Sequence, residues 1–164
     1  MIAQLPGAYD EVVLPCGTAT TLAGLVAGLS FLAQPGSTAS PLAEIHTKKK
    51  IPSVRGMVVL KGMDSLQTDV ENWLQNQSVE YCVDWHLDAS AHFGGYAKRS
   101  AEVSHFIHNF WHAHSVPLEP VYSGRMMRAL FQRIEDGYYL PGTRLLALHT
   151  GGMQGRSVDE ADIA

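Results

Sequence analysis

The chain has 164 residues, of which 46% are hydrophobic and 17% are charged, and its formal net charge is −4 at pH 7. This length fits one domain with its own core, which we take as residues 1–164. The composition is typical of a globular protein in water, and the negative charge excludes a general nucleic-acid-binding surface.

Cysteine content and apolar runs bear on the compartment. Cys16 and Cys82 are too few for a disulfide framework and form no metal-type pair, so a reduced, cytoplasmic protein is expected. The longest apolar run, residues 22–33, is shorter than the roughly 20 residues of a membrane span, and the N-terminus lacks the layout of a signal peptide. No membrane association is expected. The spacing of Gly24 and Gly28 instead predicts tight packing of a helix on a sheet.

The first half of the chain predicts two strands, each followed by a helix. The run at residues 11–14 predicts a buried strand, and after a short polar loop a helix opens at Thr20 or Thr21 and ends near residue 33. Residues 54–60 predict a second buried strand. Asp64 or Ser65 can cap the next helix, whose apolar side is formed by Leu66, Val70, Trp73 and Leu74.

The second half is mainly helical. From residue 76 to residue 98 the apolar periodicity is lost, and a loop is predicted. Ser100 can cap a helix that runs to about His114, and another helix follows residue 122 and stops at Gly137. Residues 144–149 predict the last strand, and a glycine-rich turn follows at residues 150–155.

This order of elements predicts an α/β fold. We expect three layers, with an open, mainly parallel sheet and helices on both of its faces. Two small polar turns, after Leu14 and after Leu148, then lie at the carboxyl ends of strands, where such sheets bind ligands. The apolar strands are too few to cover their own edges, so the chain is expected to be part of a larger sheet.

The loop at residues 17–21 has no bulky side chain. Its backbone N–H groups can converge at a helix N-terminus, which favours an anion, most often phosphate. Short strand-to-helix turns in α/β proteins have the same form even when they bind nothing, so the residues alone leave both interpretations open.

Three histidines recur on one predicted helix. His105, His108 and His112 have the spacing i, i+3 and i+7 and fall within a narrow arc that could present a zinc site. Apolar side chains occupy the opposite side, and no acidic or thiol ligand accompanies the histidines. A solvated helix face is favoured and no biological metal site is expected, although the face should bind immobilised nickel.

Four motifs then occur in a specific order: CGTATTLAGL at residues 16–25, HFGGYAK at 92–98, EPVYSGR at 119–125 and LHTGGMQG at 148–155. Together they resemble the later half of the 1-aminocyclopropane-1-carboxylate deaminase and D-cysteine desulfhydrase family, over nearly the whole chain. These are pyridoxal-phosphate enzymes of the tryptophan-synthase β fold, also called fold type II. The resemblance implies an incomplete domain of that fold.

The resemblance also implies residues that contact pyridoxal 5'-phosphate. Backbone amides would hold its phosphate at Gly17, Thr18, Ala19, Thr20 and Thr21. Tyr122 corresponds to the family's tyrosine beside the cofactor ring, as a possible auxiliary to catalysis. Ser123 stands where deaminase members have a glutamate on the pyridine nitrogen, and Thr150 matches a threonine at the same ring edge in desulfhydrase members. A hydroxyl leaves that nitrogen closer to neutral than a carboxylate does, which suits β-elimination.

One part of the family's machinery is absent from the sequence. Family members are roughly twice as long, and the lysine that forms the Schiff base lies in their earlier half, beside an asparagine. This chain has no Asn-Lys pair, and its lysines are at positions 48–50, 61 and 98. Because the chemistry needs an amine held against the cofactor's aldehyde carbon, the chain is expected to be inactive alone.

Two classes of function therefore remain. The chain is either part of a lyase that acts on a small amino acid once an N-terminal half completes it, or a non-catalytic, self-associating remnant with a binding or structural role. In both cases the open sheet predicts a homodimer or a larger assembly.

Overall fold

A computed structural model describes residues 8–34, 51–76, 80–94 and 100–152. The strands are β1 (Glu11–Cys16), β2 (Ser53–Val58), β3 (Trp85–Asp88) and β4 (Leu145–Ala147). The helices are α1 (Ala19–Ala33), α2 (Leu66–Gln75), α3 (Ala101–His114) and α4 (Ser123–Glu135). The strands form one parallel sheet in the order β3-β2-β1-β4, which confirms the predicted fold class.

Strand β1 is the centre of the sheet and is buried along its whole length. Its side chains alternate between two hydrophobic clusters, as a strand covered on both faces requires. Leu14 packs in the cluster formed by α1 and α2, whereas Val13 packs in the cluster that includes Met126 of α4. The molecule therefore has three layers, with helices on both faces of the sheet.

Helices α1 and α2 fill the first face of the sheet. Leu22 and Val26 of α1 are fully buried there, and so is Val70 of α2. Trp73 was predicted on the same apolar side, but it is 48% exposed. A residue directly before Leu74 points about 100° around the helix from it, and Leu74 takes the buried position.

The prediction for Gly24 and Gly28 is wrong. Both glycines lie on the exposed side of α1, and a Cβ atom added to either would meet nothing within 4 Å. The close approach between helix and sheet is made from the strand instead. A Cβ at Gly56 of β2 would lie 3.0 Å from Leu22 Cδ2 and 3.2 Å from Cys16 Cβ.

Strand β3 was not predicted, because it lies in the segment where the periodicity is lost. It is four residues long and forms an edge of the sheet. Only Trp85 and Leu87 contribute apolar side chains to the first face, while His86 is exposed. Such a short alternation gives too little pattern to distinguish a strand from a loop.

Helices α3 and α4 cross closely at Gly124. A Cβ there would lie 2.5 Å from Ile107 Cδ1 and 2.7 Å from the carbonyl oxygen of Glu119, so only glycine fits without displacement. Ser100 caps α3 as predicted, since its Oγ accepts the N–H of Val103 at 3.4 Å. In the described ranges, none of the helices is long and apolar enough to cross a bilayer.

Candidate functional site

The loop after β1 leads directly into α1 at the carboxyl edge of the sheet. Gly17 and Ala19 are buried, whereas Thr18, Thr20 and Thr21 are exposed. Thr18 is the N-cap residue with extended backbone angles, and its side chain makes no capping hydrogen bond. The first turn of α1 therefore presents its N–H groups without competition from a Thr18 cap, beside three exposed hydroxyl groups.

Tyr122 lies directly over this loop. A Cβ atom at Gly17 would be only 2.8 Å from Tyr122 Cε1 and 3.6 Å from Leu60 Cδ1. The tyrosine ring is 37% exposed, so one part of it covers the loop and another part faces outward. The fold thus brings together two residues that were assigned to the same site from separate motifs.

Thr150 lies at the same edge of the sheet, because β4 runs beside β1. The parallel register pairs Val13 with Ala147, and the N–H of Leu148 donates to the carbonyl of Val13 at 2.8 Å. Beyond β4, a Cβ atom added at Gly152 would lie 3.3 Å from Glu119 Cγ, so the glycine-rich turn lies against the segment before α4. The loop at Gly17 and the glycine-rich turn thus both contact the segment at residues 119–122, and Thr150 is exposed.

His149 ties the glycine-rich turn to the segment before α4. Its Nδ1 accepts the N–H of Gly151 at 3.1 Å, and its Nε2 lies 2.8 Å from the carbonyl oxygen of Pro117. This pair of contacts requires the tautomer with the proton on Nε2. Gly151 and Gly152 have φ values of +92° and +84°, which residues with a side chain rarely adopt.

Glu119 holds the start of α4 and was not assigned any role from the sequence. It is 1% exposed, and its carboxylate accepts the N–H groups of Val121 at 2.7 Å, Tyr122 at 2.6 Å and Ser123. In return, the N–H of Glu119 donates to Ser123 Oγ at 3.0 Å. This reciprocal cap fixes the backbone that carries Tyr122. An acidic residue four positions before a helical serine was the available signal.

Ser123 differs from the other site candidates in its exposure. It has 0% exposed surface, and its oxygen already accepts the N–H of Glu119. Its hydroxyl hydrogen is a donor in addition to that contact. The structure therefore places Ser123 next to Tyr122 but beneath the surface, whereas Thr150 is open.

Arg125 is a second residue that the sequence analysis did not single out. It is 2% exposed, and its guanidinium donates to three carbonyl oxygens: Pro120 at 3.1 Å, Val59 at 3.2 Å, and His92. Burial lowers the pKa of Arg125, and the nearby Glu119 partly offsets this. The side chain joins the segments after β2, after β3 and before α4. Its signal was a cation in the first turn of a helix, where the helix dipole is unfavourable to positive charge.

A cleft opens beside the loop on the side of α2. It has a volume of about 390 Å³, and Thr18, Thr20, Asn72 and Trp73 are among the residues that line it. Neither Tyr122 nor Thr150 lines it. Thr18 and Thr20 therefore face this cleft, whereas Tyr122 contacts the loop at Gly17 and does not line the cleft.

Cys16, at the end of β1, is not a nucleophile in this setting. It is 1% exposed, and burial raises its pKa to about 11. Its S–H group donates to the carbonyl of Thr18 at 3.3 Å. The thiol thus stabilises the turn into α1 and stays protonated at neutral pH.

No family model matches the chain. Two archaeal proteins named putative 1-aminocyclopropane-1-carboxylate deaminase are similar to it over 151 residues, at 28% identity in Pyrococcus horikoshii and 27% in Pyrococcus furiosus. A 1-aminocyclopropane-1-carboxylate deaminase of Cyberlindnera saturnus is 24% identical over 145 residues. The chain is similar to these proteins over most of its own length. The resemblance inferred from the four motifs is thereby confirmed.

The deaminase relatives are much longer than this chain. The matches cover 90%, 90% and 88% of the chain but only 41%, 40% and 39% of the respective relatives. The chain thus spans about 40% of their length. A solved structure described as the crystal structure analysis of an ACC deaminase homologue has the same fold, with a TM-score of 0.70 and 23% identity. That match covers 98% of this chain and 45% of the other.

Proposed function

We propose that this chain is a partial domain of a pyridoxal-phosphate-dependent lyase of the deaminase and desulfhydrase kind. Residues 17–21 would hold the cofactor phosphate, and Tyr122, Ser123 and Thr150 would lie around its ring. The observation that carries the proposal is the contact between Gly17 and the Tyr122 ring, because it joins the phosphate loop to the ring-side residues at one sheet edge.

The donors at the loop suit a phosphate. The first turn of α1 supplies N–H groups, the helix dipole favours negative charge there, and three threonine hydroxyls are exposed beside it. Asp69 is the acidic residue lining the adjacent cleft, and Ser65 Oγ donates to its carboxylate at 3.0 Å. Thr18 and Thr20 line this same cleft, so their hydroxyls share it with an acidic side chain. We therefore assign the backbone amides, and not these hydroxyls, as the donors to the phosphate.

Around the cofactor ring, the residues of this chain would position the ring and would not react with it. Tyr122 offers an exposed aromatic face, and Glu119 holds its backbone in place. Thr150 presents an open hydroxyl, while Ser123 can donate its hydroxyl hydrogen toward the pyridine nitrogen as its oxygen accepts the N–H of Glu119. When bound, the cofactor supplies an electron sink for bond breaking at the α-carbon of an amino acid.

We further propose that the Schiff-base lysine comes from an N-terminal portion that this chain does not contain. The absence of an Asn-Lys pair in the sequence supports this, as does a span of about 40% of the relatives' length. The chain would then be inactive alone, and the completed protein would act on a small amino acid. Hydroxyls at positions 123 and 150, in place of a carboxylate, favour β-elimination.

Self-association belongs to the same proposal. The outer edges of β3 and β4 have no paired strand among the described residues, so both edges can accept another chain. Sedimentation at micromolar concentration should show a dimer or a larger species, or a complex once the N-terminal portion is added. A folded monomer under both conditions would contradict this part.

The cofactor proposal is tested with pyridoxine 5'-phosphate, which has no aldehyde and does not react with lysines. We expect it to bind the isolated chain at least about tenfold more tightly than pyridoxine, because only the former has a phosphate. Gly17→Ala should weaken binding by a similar factor, since the added Cβ displaces Tyr122. Gly24→Ala is the matched control, because its Cβ would meet nothing. Equal binding of both compounds would refute the proposed phosphate site.

A second experiment separates a lyase part from a non-catalytic remnant. The chain is combined with the N-terminal portion of the Pyrococcus horikoshii relative, and ammonia release is measured with 1-aminocyclopropane-1-carboxylate and with D-cysteine. Ammonia release that needs both portions supports the lyase. Phosphate-dependent cofactor binding without any turnover supports the binding remnant.

A further inference from the structure

The histidines of α3 do not act as one group of three in the structure. His108 and His112 lie ring to ring on consecutive turns, with centroids 4.4 Å apart and planes inclined at 71°. His105 is turned toward Asn109, and its Nε2 lies 3.0 Å from the side-chain amide of that residue. The sequence spacing alone did not separate the pair from its neighbour.

From this arrangement, and contrary to the expectation from the sequence, we infer that His108 and His112 form a two-ligand site for a divalent transition ion of the zinc, nickel and copper group. Imidazole nitrogen suits these ions, and both rings are exposed. A metal with bonds of about 2.0–2.1 Å to each ring needs the two nitrogens roughly 3 Å apart. Ring centroids separated by 4.4 Å can meet that distance through side-chain rotation alone.

The residues of α3 around His108 and His112 carry no positive charge that would oppose a bound cation. Helix α3 contains no lysine or arginine that would repel the ion, and it packs on α4 through Val103 and Ile107 on its other side. His114, at the end of the helix, contacts the ring of Phe110 instead. His149 is engaged with Pro117 and Gly151.

The site is open, and water would occupy the remaining coordination positions. No group of three histidine, cysteine, aspartate or glutamate side chains is placed to hold a metal within the described ranges, so the inferred site has two protein ligands only. Both ligands belong to one helix and to adjacent turns. Binding should therefore stabilise α3 as well as the folded chain.

The test is a titration of the tag-free chain with Zn²⁺ by calorimetry, together with thermal unfolding in the presence and absence of the ion. We expect His108→Ala and His112→Ala each to weaken Zn²⁺ binding by about tenfold or more and to abolish the Zn²⁺-dependent rise in Tm. His105→Ala and His114→Ala are the matched controls and should bind Zn²⁺ like the parent chain. Circular dichroism checks that each variant keeps its helix content.

Two results would overturn the inference. Zn²⁺ binding that is equal in the parent chain and in the double variant His108→Ala/His112→Ala would show that the ion binds elsewhere. A loss in His105→Ala as large as in His108→Ala would show a three-histidine site. The inference is independent of the cofactor proposal, because α3 contributes no residue to the proposed phosphate loop.

Discussion

The two ends of helix α4 use charged side chains in opposite ways. At its N-terminal end, Glu119 and Arg125 direct their polar atoms to backbone groups of the surrounding loops. Beyond its C-terminal half, charged side chains meet other side chains in an ionic network. That network consists of Glu11, Arg55, Asp88, Arg133, Tyr138 and Tyr139.

The ionic network lies under α4 on the second face of the sheet. Arg55 donates to Glu11 Oε1 at 2.8 Å and to the Tyr138 hydroxyl at 2.8 Å, and the Tyr139 hydroxyl donates to Glu11 Oε2 at 2.7 Å. Burial acts to lower the pKa of Arg55, but Glu11 and the two tyrosines outweigh it, so the pKa is raised. Burial and the hydrogen bond to Glu11 raise the pKa of Tyr139.

The two ends of α4 therefore have different structural roles: the ionic network anchors the helix to the sheet, whereas Glu119 and Arg125 set the conformation of the neighbouring loops. The ionic network joins strands β1, β2 and β3 to the end of α4 and contains its own opposite charges. At the other end, Glu119 and Arg125 hold the loops at the carboxyl edge in place, and Thr18 makes no side-chain cap to the first turn of α1. Contacts from side chains to the backbone thus shape the loops at the carboxyl edge, whereas ion pairs hold the opposite end of α4.

The largest effect is expected from breaking the ionic network at Arg55. Arg55→Met leaves the buried carboxylate of Glu11 without its cation and removes one of the two cations beside Asp88. We therefore expect a loss of about 3–5 kcal/mol in the free energy of unfolding. Urea denaturation measures it. Arg128→Met is the control: its partners Glu102 and Glu135 are more than half exposed, and a loss of at most about 1 kcal/mol is expected. Equal losses in both variants would show that the network does not anchor α4.

Gly124→Ala should cost less, because it strains a contact without leaving a charge unpaired. The new Cβ would meet Ile107 Cδ1 and the carbonyl oxygen of Glu119, and such overpacking costs about 1–3 kcal/mol. Gly28→Ala lies in open space on α1 and should instead stabilise the chain by about 0.5–1 kcal/mol. Thermal unfolding of both variants checks the opposite signs. A neutral Gly124→Ala would show that α3 and α4 are not held at this close approach.

The apolar periodicity of the sequence was sufficient to predict the layers of the fold but not the strand at the edge of the sheet. Three strands and four helices followed from runs of buried residues and from caps such as Ser100, whereas the short edge strand β3 left no comparable pattern. The glycines of α1 were misinterpreted because spacing alone does not say which side of a helix is buried. Gly56, the glycine that the packing does require, has no distinguishing spacing.

The residues of the candidate site that belong to short sequence motifs could be predicted from the sequence. Gly17, Tyr122 and Thr150 were assigned from short segments, and the parallel order of β1 and β4 brings these segments to one edge. Glu119 was missed although its cap is local, since its carboxylate accepts the N–H groups of the next few residues. Arg125 was missed because two of its partners, the carbonyl oxygens of Val59 and His92, lie in distant segments. The contacts of Arg125 with those segments depend on the tertiary fold, and the sequence marks them only by a cation in the first turn of a helix.

Removing the cap at the N-terminal end of α4 should have an intermediate effect. Glu119→Ala deprives three N–H groups of their acceptor, and we expect a loss of about 1–2 kcal/mol, as for a strong N-cap. Ser65→Ala is the control, because Ser65 precedes α2 without any side-chain capping bond and should change stability by less than about 0.5 kcal/mol. Chemical denaturation compares the two. Equal changes would contradict a capping role for Glu119.

The smallest expected effect is a loss of stability at acidic pH, and it concerns Asp88, which pairs with Arg133 at the C-terminal end of α4. Burial acts to raise the pKa of Asp88, but its contacts with Arg133 and the Ser90 N–H outweigh this and lower the pKa below its ordinary value of 3.8. The ionised carboxylate is therefore favoured in the folded state, and its contribution is present above about pH 4 and lost as the pH falls through the lowered pKa. One proton limits this change to about 1.4 kcal/mol per pH unit. Urea midpoints at pH 7, 5, 4 and 3 should show the difference between the parent chain and Asp88→Asn shrinking only at the acidic end. A difference that stays constant over this range would mean that Asp88 gains nothing from its charge, and that the C-terminal end of α4 is anchored by packing alone.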